Sequence, residues 1–247
     1  MKAIILAAGR GSRMKKITDD RPKCLVELRG KPLLEWQLAA LQKADISEIA
    51  IVTGYKCELL NKRSPATFHN PRWEETNMVS SLACAQEWLQ AEPCIVSYSD
   101  IFYEASAVES LMTAKACLAV TYDPHWLKLW EKRFGDPLID AETFRLNPDS
   151  TLAEIGNKPK SLAEIQGQYM GLLRFTPEGW NEVIRIRAEL TPAQCDRMHM
   201  TGTLQKIIEA KRVDVIAVPY EDAWGEVDSA DDLAAYQDHQ FADCAPP

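Results

Sequence analysis

The sequence predicts an α/β fold in which helices cover both faces of a mostly parallel, mixed β-sheet. Short apolar runs that end at glycine or polar residues are typical of buried strands, and they alternate with amphipathic stretches of helical period. Such alternation builds right-handed βαβ units, whose parallel strands are buried on both faces. The chain has 247 residues, of which 46% are hydrophobic, enough for a sizeable core.

The first half of the chain has the clearer pattern. Strands are predicted at residues 2–8, 49–53, 94–98 and 117–122, and helices at 33–43, 79–89 and 105–115. Residues 9–32, with three glycines and two prolines, are predicted to form a long loop. The carboxyl end of the first strand therefore opens into an extended irregular segment.

The second half is less regular. Short β-like runs at 138–139, 152–155 and 170–175 predict a mixed excursion. Helices at 178–189, 202–211 and 230–237 and a strand at 213–218 complete the pattern. We expect a single domain over residues 1–240 and a loosely ordered tail at 241–247.

Composition excludes several classes of protein. Acidic residues outnumber basic ones by 36 to 28, a net charge of −8 that disfavours a general nucleic-acid binder. No run approaches the roughly 18 apolar residues of a membrane span, and residues 3–8 are too short for a signal-peptide core. Seven scattered cysteines without a CxxC pair predict reduced thiols, no zinc site and a cytoplasmic location.

The most informative segment follows the first predicted strand. Between residues 10 and 31, eight basic and three acidic residues give a local charge of +5 in this acidic chain. Gly9 and Gly11 allow backbone N–H groups to approach phosphate oxygens, and Arg13 and Lys23 could neutralise a polyphosphate. The segment therefore predicts an anion site, the plain alternative being a solvated basic loop.

Two other glycine motifs fit this segment less well. The P-loop pattern GxxxxGK[ST] does not occur in the chain. The dinucleotide fingerprint requires a third glycine where Met14 stands and a helix that starts directly. The sequence therefore disfavours a hydride-transfer dehydrogenase.

The segment Leu6-Ala-Ala-Gly-Arg-Gly-Ser-Arg13, followed by Pro22-Lys23, resembles the signature of the nucleotidyltransferases that activate sugar phosphates and phosphoalcohols. The resemblance extends from residue 1 to about residue 237. Residues 76–82, 165–171 and 224–228 (TNMVSSL, IQGQYMG and WGEVD) resemble the small cytidylyltransferases of the CTP:phosphocholine type. The resemblance implies a Rossmann-like three-layer fold, with a nucleotide-binding part at about 1–123 and an acceptor-binding excursion at about 124–200.

The same resemblance implies a reaction. An Mg²⁺-dependent enzyme would transfer CMP from CTP to a small, phosphocholine-like phosphorylated compound and release pyrophosphate. Phosphoglutamine, 2-aminoethylphosphonate or another phosphonate, and a sugar 1-phosphate stay open as acceptors. A catalytically silent nucleotide-sensing protein stays open as well, and the oligomeric state, monomer or homodimer, is not predicted.

The family's functional residues carry over by motif. The resemblance implies catalytic roles for Lys23, Arg13, Asp100 and Asp228, with Mg²⁺ held by Asp100, Asp228 and the adjacent Glu226. It implies nucleotide contacts from Leu6, Ala7, Ala8, Gly9, Gly11, Ser12, Arg13, Lys23, Gly54, Tyr55 and Ser81. The plain alternative for the two aspartates is that each caps a following helix.

The acceptor side is harder to predict. Asn77 and Ser81 lie one turn apart at a predicted helix start, where they could bind the acceptor or cytidine hydroxyls or simply cap the helix. Tyr169, in the segment 165–171, is a further candidate for acceptor contact. Lys158 matches a family lysine, although Asn157 replaces the acidic residue that precedes that lysine in the family. The remaining candidates, Trp126 and Trp130, lie at i and i+4, and such a pair can hold a quaternary ammonium or pack as a core patch.

Overall fold

The computed structural model describes residues 1–63 and 66–237. Its strands are β1 (Lys2–Ala7), β2 (Glu27–Leu28), β3 (Lys31–Pro32), β4 (Ile49–Thr53), β5 (Ala66–His69), β6 (Cys94–Tyr98), β7 (Ile101–Tyr103), β8 (Leu118–Asp123), β9 (Phe144–Leu146), β10 (Leu152–Ile155), β11 (Gln168–Phe175), β12 (Val215–Pro219) and β13 (Trp224–Glu226). Its helices are α1 (Leu33–Lys43), α2 (Met78–Ala83), α3 (Gln86–Ala91), α4 (Ala105–Thr113), α5 (Trp126–Phe134), α6 (Pro177–Ala188), α7 (Pro192–Asp196), α8 (Met200–Ala210) and α9 (Ala230–Gln237).

Seven strands form the central sheet, in the order β12-β8-β11-β6-β1-β4-β5. The pairs β1–β4, β1–β6, β4–β5 and β8–β12 are parallel, and β11 runs antiparallel between β6 and β8. The sheet is therefore mixed and mostly parallel, which confirms the predicted fold class.

Helices cover both faces of this sheet because its strands are apolar on both sides. Successive side chains of a strand point to opposite faces, so Ile4 and Ile5 of β1 lie in two different core clusters. The cluster around Ile5 includes apolar residues of α1, α4 and α5. The cluster around Ile4 includes those of α2, α3, α6 and α8, so the molecule has three layers.

The carboxyl ends of β1, β4 and β6 meet at one edge of the sheet. The loop after β1 begins there at Ala8, the turn after β4 at Gly54, and Asp100 follows β6 by two residues. Because β11 is antiparallel, its amino end at Gln168 and Tyr169 lies beside Asp123 and Tyr122 of β8 at this edge. Parallel α/β sheets bind ligands at this position.

Several predicted elements require correction. Residues 12–18 and 23–25 form 3₁₀ turns and β2–β3 is a hairpin, so the predicted loop of 9–32 is partly ordered by local turns. Residues 138–139 lie in a 3₁₀ turn, since Pro137 and the Asp136 cap favour a turn over a strand. The run at 170–175 belongs to the central sheet, and the helix predicted at 79–89 breaks at residues 84–85 into α2 and α3.

Over the described ranges, 1–63 and 66–237, no helix is long and apolar enough to cross a membrane. The single domain over 1–240 and its division at residue 123 stay predictions. The tail at 241–247 lies outside the described residues.

Candidate active site

The loop after β1 folds over the side chain of Lys23. Gly11 adopts the left-handed conformation, with φ of +72°, and begins the 3₁₀ turn at Ser12–Thr18. A Cβ atom at Gly11 would lie 2.8 Å from the Cβ of Lys23. The hydroxyl of Thr18 donates to the Gly11 carbonyl at 3.1 Å and closes the turn. Glycine is therefore needed at this position both for the backbone angle and for the close approach.

Lys23 links two carboxylates that come from distant parts of the chain. Its amino group donates to Oδ2 of Asp100 at 2.8 Å and to Oδ1 of Asp228. Burial alone would lower the pKa of Lys23, but the carboxylates of Asp100 and Asp228 outweigh this effect and raise it. The lysine is therefore charged and forms the centre of a buried ion cluster.

The short antiparallel strand pair β7–β13 brings the carboxylate of Asp228 close to that of Asp100. β13 pairs with β7 so that Glu226 lies opposite Ile101, and the N–H of Val227 donates to the Asp100 carbonyl at 2.9 Å. Asp228 follows directly, and its Oδ2 accepts a 2.7 Å contact from Arg13 in the loop after β1. Arg13 and Lys23 from the amino-terminal motif thus contact Asp228, from near the carboxyl end of the chain, at this edge of the sheet.

Three carboxylates in this cluster fit a divalent cation. Oxygens of Asp100, Glu226 and Asp228 all lie within 4.8 Å of one another. Oδ1 of Asp100 is buried and has no hydrogen-bond partner in the described part of the chain. Burial, together with the neighbouring Asp228, raises the pKa of Glu226 to about 8. A hard cation such as Mg²⁺ prefers these oxygen ligands and would balance their charge.

Both aspartates have partners that the capping alternative does not predict. The residue before α4 is Glu104, and no side chain caps that helix, so Asp100 is not its cap. The carboxylate of Asp228 contacts Lys23 and Arg13. Although burial opposes it, Lys23 and Arg13 lower the pKa of Asp228. Both side chains therefore face the ion cluster.

Two neighbouring cavities open beside the cluster and share Arg13, Asn77, Met78 and Tyr98. The first cavity measures about 300 Å³ and lies over the loop after β1. The second cavity measures about 450 Å³ and lies between that loop, the amino end of β11 and the start of α8. The ion cluster lines both cavities, with Lys23 and Asp100 on the first, Asp228 on the second and Arg13 on both, so ligands in the two cavities would meet at its carboxylates and cations.

Most of the predicted site residues line these cavities. The first cavity includes Leu6, Ala8, Gly9, Gly11, Ser12, Arg13, Lys23, Asn77, Ser81 and Asp100. The second cavity includes Arg13, Asn77, Tyr169, Glu226 and Asp228. Asn77 also accepts a 2.7 Å hydrogen bond from the Met78 N–H, and Ser81 accepts one from Asn70, so both residues also have structural partners.

Three of the predicted nucleotide-binding residues lie beside the first cavity. Ala7 is buried in β1. The N–H of Tyr55 donates to the Ala8 carbonyl at 2.9 Å, and Gly54 packs against that same carbonyl and Trp73. This turn packs against the start of the loop after β1, and direct contact with a nucleotide stays a prediction for these residues.

The aromatic cage suggested by Trp126 and Trp130 does not fit this structure. Both indoles are buried in the core, at 4% and 1% exposure, and Trp130 stacks on Trp224 with the ring centroids 6.3 Å apart. Neither lines either cavity, because α5 turns this face toward the sheet. The packing alternative is the one that their positions support.

Lys158 also lies away from the cavity walls. Its amino group donates to the carbonyls of Leu138 and, at 3.1 Å, Ile139. This contact joins the segment after β10 to the 3₁₀ turn at Pro137–Ile139. Contact with an acceptor phosphate stays a prediction for Lys158.

The sequence analysis missed several residues that line the second cavity: Asp140, Glu142, Gln168, His199 and Thr201. Gln168 lies within the segment 165–171 that resembles the small cytidylyltransferases, whereas the other four come from the irregular segment before β9 and from the start of α8, where no motif marks them. Burial raises the pKa of Glu142, although a hydrogen bond from Thr201 opposes this shift. The acidic wall of this cavity is thus a property of the tertiary structure.

Comparison with known proteins agrees with this geometry. Residues 3–146 match the model of the MobA-like NTP transferase domain. The chain is 38% identical to the CTP:phosphoglutamine cytidylyltransferase of Campylobacter jejuni over 94% of its own length and 98% of that protein's. It is 41% identical to the choline-phosphate cytidylyltransferase of Haemophilus influenzae, over 41% of this chain and 44% of that one.

A solved structure shows the same fold. The inositol-1-phosphate CTP transferase from T. maritima superposes with a TM-score of 0.78 at 18% identity, covering 96% of this chain and 93% of that chain. The chain belongs to the MobA-like NTP transferase family and is a nucleotidyltransferase, which confirms the resemblance of its loop motif.

Proposed function

We propose that this nucleotidyltransferase transfers CMP from CTP to the phosphate of a small phosphorylated amine and releases pyrophosphate, with Mg²⁺ as cofactor. Support for CTP comes from the two cytidylyltransferase relatives, one of which aligns over nearly the whole chain. The proposal rests above all on one observation. Lys23, Arg13 and the carboxylates of Asp100 and Asp228 form one ion cluster that lines both cavities.

The reaction joins two anions, so neutralising their charge is the main task of the site. An oxygen of the acceptor phosphate forms a bond to the α-phosphorus of CTP. The bond from that phosphorus to the oxygen bridging to the β-phosphate breaks, and its electron pair leaves with pyrophosphate. No covalent enzyme intermediate is needed, because positioning and electrostatics supply the rate acceleration.

The residues divide this task between them. In this proposal the loop after β1, which lines the first cavity, offers backbone N–H groups and Arg13 to the β- and γ-phosphates, and Lys23 stabilises the α-phosphate. Asp100, Glu226 and Asp228 would hold Mg²⁺, which when bound supplies charge neutralisation at the phosphate oxygens. Lys23 and Arg13, now paired with carboxylates, could then contact phosphate instead.

The walls of the second cavity favour an acceptor with a cationic nitrogen. Arg13, in the loop after β1, is the one residue of the described lining with a permanent positive charge, whereas Asp140 and Glu142 come from the segment before β9. A ligand with phosphate at one end and ammonium at the other matches this arrangement. Glutamine and choline, the acceptor groups of the two relatives' named substrates, both carry such a nitrogen.

Pyrophosphate release from CTP and Mg²⁺ tests the reaction across a panel of acceptors. Phosphoglutamine, phosphocholine, phosphoethanolamine and 2-aminoethylphosphonate carry a cationic nitrogen, and glucose 1-phosphate does not. We expect release with one or more of the amines and little with glucose 1-phosphate. Activity with glucose 1-phosphate alone would contradict the amine assignment, and a preference for UTP would contradict the nucleotide assignment.

A silent nucleotide sensor is the competing function, and the same assay separates it. A sensor binds CTP but releases no pyrophosphate with any acceptor. The presence of all four charged residues in one cluster favours the enzyme, because a sensor does not need Lys23 beside two aspartates.

The amine assignment has its own test at Glu142. Replacing a carboxylate that binds an ammonium with an amide removes a charge-assisted contact, and Glu142→Gln should raise the KM for the amine acceptor about tenfold. The KM for CTP should stay unchanged. Glu154→Gln is the matched control, since Glu154 pairs with Arg145 on the neighbouring hairpin and does not line the cavity. Equal KM values for both variants would contradict the assignment.

A further inference from the structure

A buried arginine lies directly behind the three carboxylates. Arg133 stands in the last turn of α5, and its side chain is 0% exposed. The guanidinium donates through Nη1 to Oε2 of Glu226 at 3.2 Å and through Nε to Oδ1 of Asp232 at 2.9 Å. Its Cζ lies over the ring of Trp130, 4.9 Å from the ring centroid, so the guanidinium also packs against an aromatic neighbour.

Asp232, the other partner of Arg133, holds the backbone at Asp228, which is the second candidate metal ligand in contact with this group. Its Oδ2 accepts from the N–H of Asp228 at 3.1 Å and from the N–H and hydroxyl of Ser229, each at 2.9 Å. The Asp232 N–H donates back to the Ser229 hydroxyl at 3.1 Å, a reciprocal arrangement like that of a capping box. The backbone that presents Asp228 is therefore anchored to the carboxylate that Arg133 holds.

The geometry requires an arginine specifically. A guanidinium is planar and donates in two directions at fixed angles, whereas a lysine ammonium is a single point of charge. Arg133 uses these directions to join Glu226 to Asp232, and it contacts neither cavity. It thus reaches one candidate metal ligand directly and a second through Asp232, from the side away from the cavities.

We propose that Arg133, with Asp232, is a positioning residue that holds Glu226 and Asp228 in the arrangement that binds the divalent cation. This inference rests on the proposed function, because the cation is needed there. In this role Arg133 does not contact substrate, and its buried positive charge serves to hold the carboxylates of Glu226 and Asp232.

Two conservative variants test the proposal, with Mn²⁺ as the probe. Arg133→Lys keeps the charge but loses the two-direction geometry. Asp232→Asn leaves Arg133 to pair with Glu226 alone, in competition with the cation. We expect each variant to weaken Mn²⁺ binding at least tenfold, measured by electron paramagnetic resonance of free Mn²⁺, and to raise the Mg²⁺ concentration for half-maximal rate in parallel. Saturating Mg²⁺ should restore most of kcat.

Two other buried ionic groups serve as matched controls. Arg174 donates to the carbonyls of Ala114 and Ala116, and Glu182 pairs with Arg185 and Arg212, all away from the cavities. Arg174→Lys and Glu182→Gln should lower the Tm without changing Mn²⁺ affinity. If Arg133→Lys and Asp232→Asn behave like these controls, the residues are only structural and the proposal is wrong.

The metal measurement also separates this proposal from the proposed function. If the wild-type chain binds Mn²⁺ and both variants lose it, the positioning role stands even where no acceptor releases pyrophosphate from CTP. If the wild-type chain does not bind Mn²⁺, with or without CTP, the positioning role fails. Should Arg133→Lys not fold, Asp232→Asn alone decides the outcome.

Discussion

Lys23 shows how much of the site depends on a single side chain. It is buried and neutralises two carboxylates, so Lys23→Met should leave Asp100 without a cation and Asp228 with Arg13 alone. We expect kcat to fall about 100-fold, as for other groups that stabilise developing charge. Stability should fall by about 1–3 kcal/mol, because buried carboxylates lose a partner. Steady-state kinetics and urea unfolding measure the two effects.

A matched lysine at the amino end of β1, at the opposite edge of the sheet from the site, provides the control. Lys2 also contacts two carboxylates, Glu48 at 3.3 Å and Glu92 at 3.5 Å. Lys2→Met should leave kcat unchanged. A Lys23→Met enzyme whose kcat stays within twofold of the wild-type value would remove Lys23 from the catalytic group.

Comparing Gly11 with Gly30 separates the cost of backbone strain from the cost of a steric clash, because both have a positive φ but only Gly11 has close neighbours. Gly11→Ala places a methyl group 2.8 Å from Lys23 and forces alanine to φ of +72°. Gly30→Ala has a similar φ of +76° but meets open space. We expect losses of about 2–4 kcal/mol for Gly11→Ala and about 1–2 kcal/mol for Gly30→Ala in urea unfolding. Only Gly11→Ala should weaken CTP binding, and equal effects would contradict the packing argument.

The sequence was most informative where chemistry lies in one continuous segment. The loop motif around Gly9, Gly11 and Arg13 predicted the anion site, and the structure places all three on the first cavity. Glu142 could not be predicted in this way, because its neighbours across the second cavity come from β11 and α8. Such walls depend on tertiary contacts that no local pattern encodes.

At the scale of elements, α5 shows why the i, i+4 spacing was ambiguous. The spacing correctly places Trp126 and Trp130 on one face, but it does not say what that face contacts. Here it packs against the core, where Trp130 meets Trp224. In the same way, the apolar run ending at Phe175 predicts a strand but not its place in the central sheet, which its pairing with β6 and β8 decides.

The position of α5 leads to a prediction that distinguishes core from ligand site. Trp130→Phe removes buried apolar area and should cost about 1–2 kcal/mol of stability, with an unchanged acceptor KM. Tyr169→Phe should act in the opposite sense, since Tyr169 lines the second cavity and its hydroxyl is buried without a partner in the described chain. We expect little loss of Tm and a higher acceptor KM. The reverse pattern would restore the cage hypothesis.

At the scale of the whole molecule, the ion cluster around Lys23 results from the topology of the sheet. Lys23 and Asp228 are 205 positions apart, yet their side chains form one ion pair. Parallel strands place their carboxyl ends at one edge of a sheet, and the parallel pairing of β1 with β6 brings the loop that carries Lys23 to Asp100. The β7–β13 pair that brings Glu226 and Asp228 close was not predicted, because strands of three residues give no periodic signal.

This long-range cluster should make metal and nucleotide binding stabilise the whole fold. Ligand at about 100 times its Kd adds about 2.7 kcal/mol to the free energy of unfolding. We therefore expect CTP with Mg²⁺ to raise the Tm more than CTP with a chelator. Asp100→Asn and Asp228→Asn should lose the Mg²⁺ increment because each removes a carboxylate ligand. Asp149→Asn should keep the Mg²⁺ increment, because Asp149 lies in a turn where its carboxylate accepts hydrogen bonds from Thr151. Equal Mg²⁺ increments in all three variants would place the cation elsewhere.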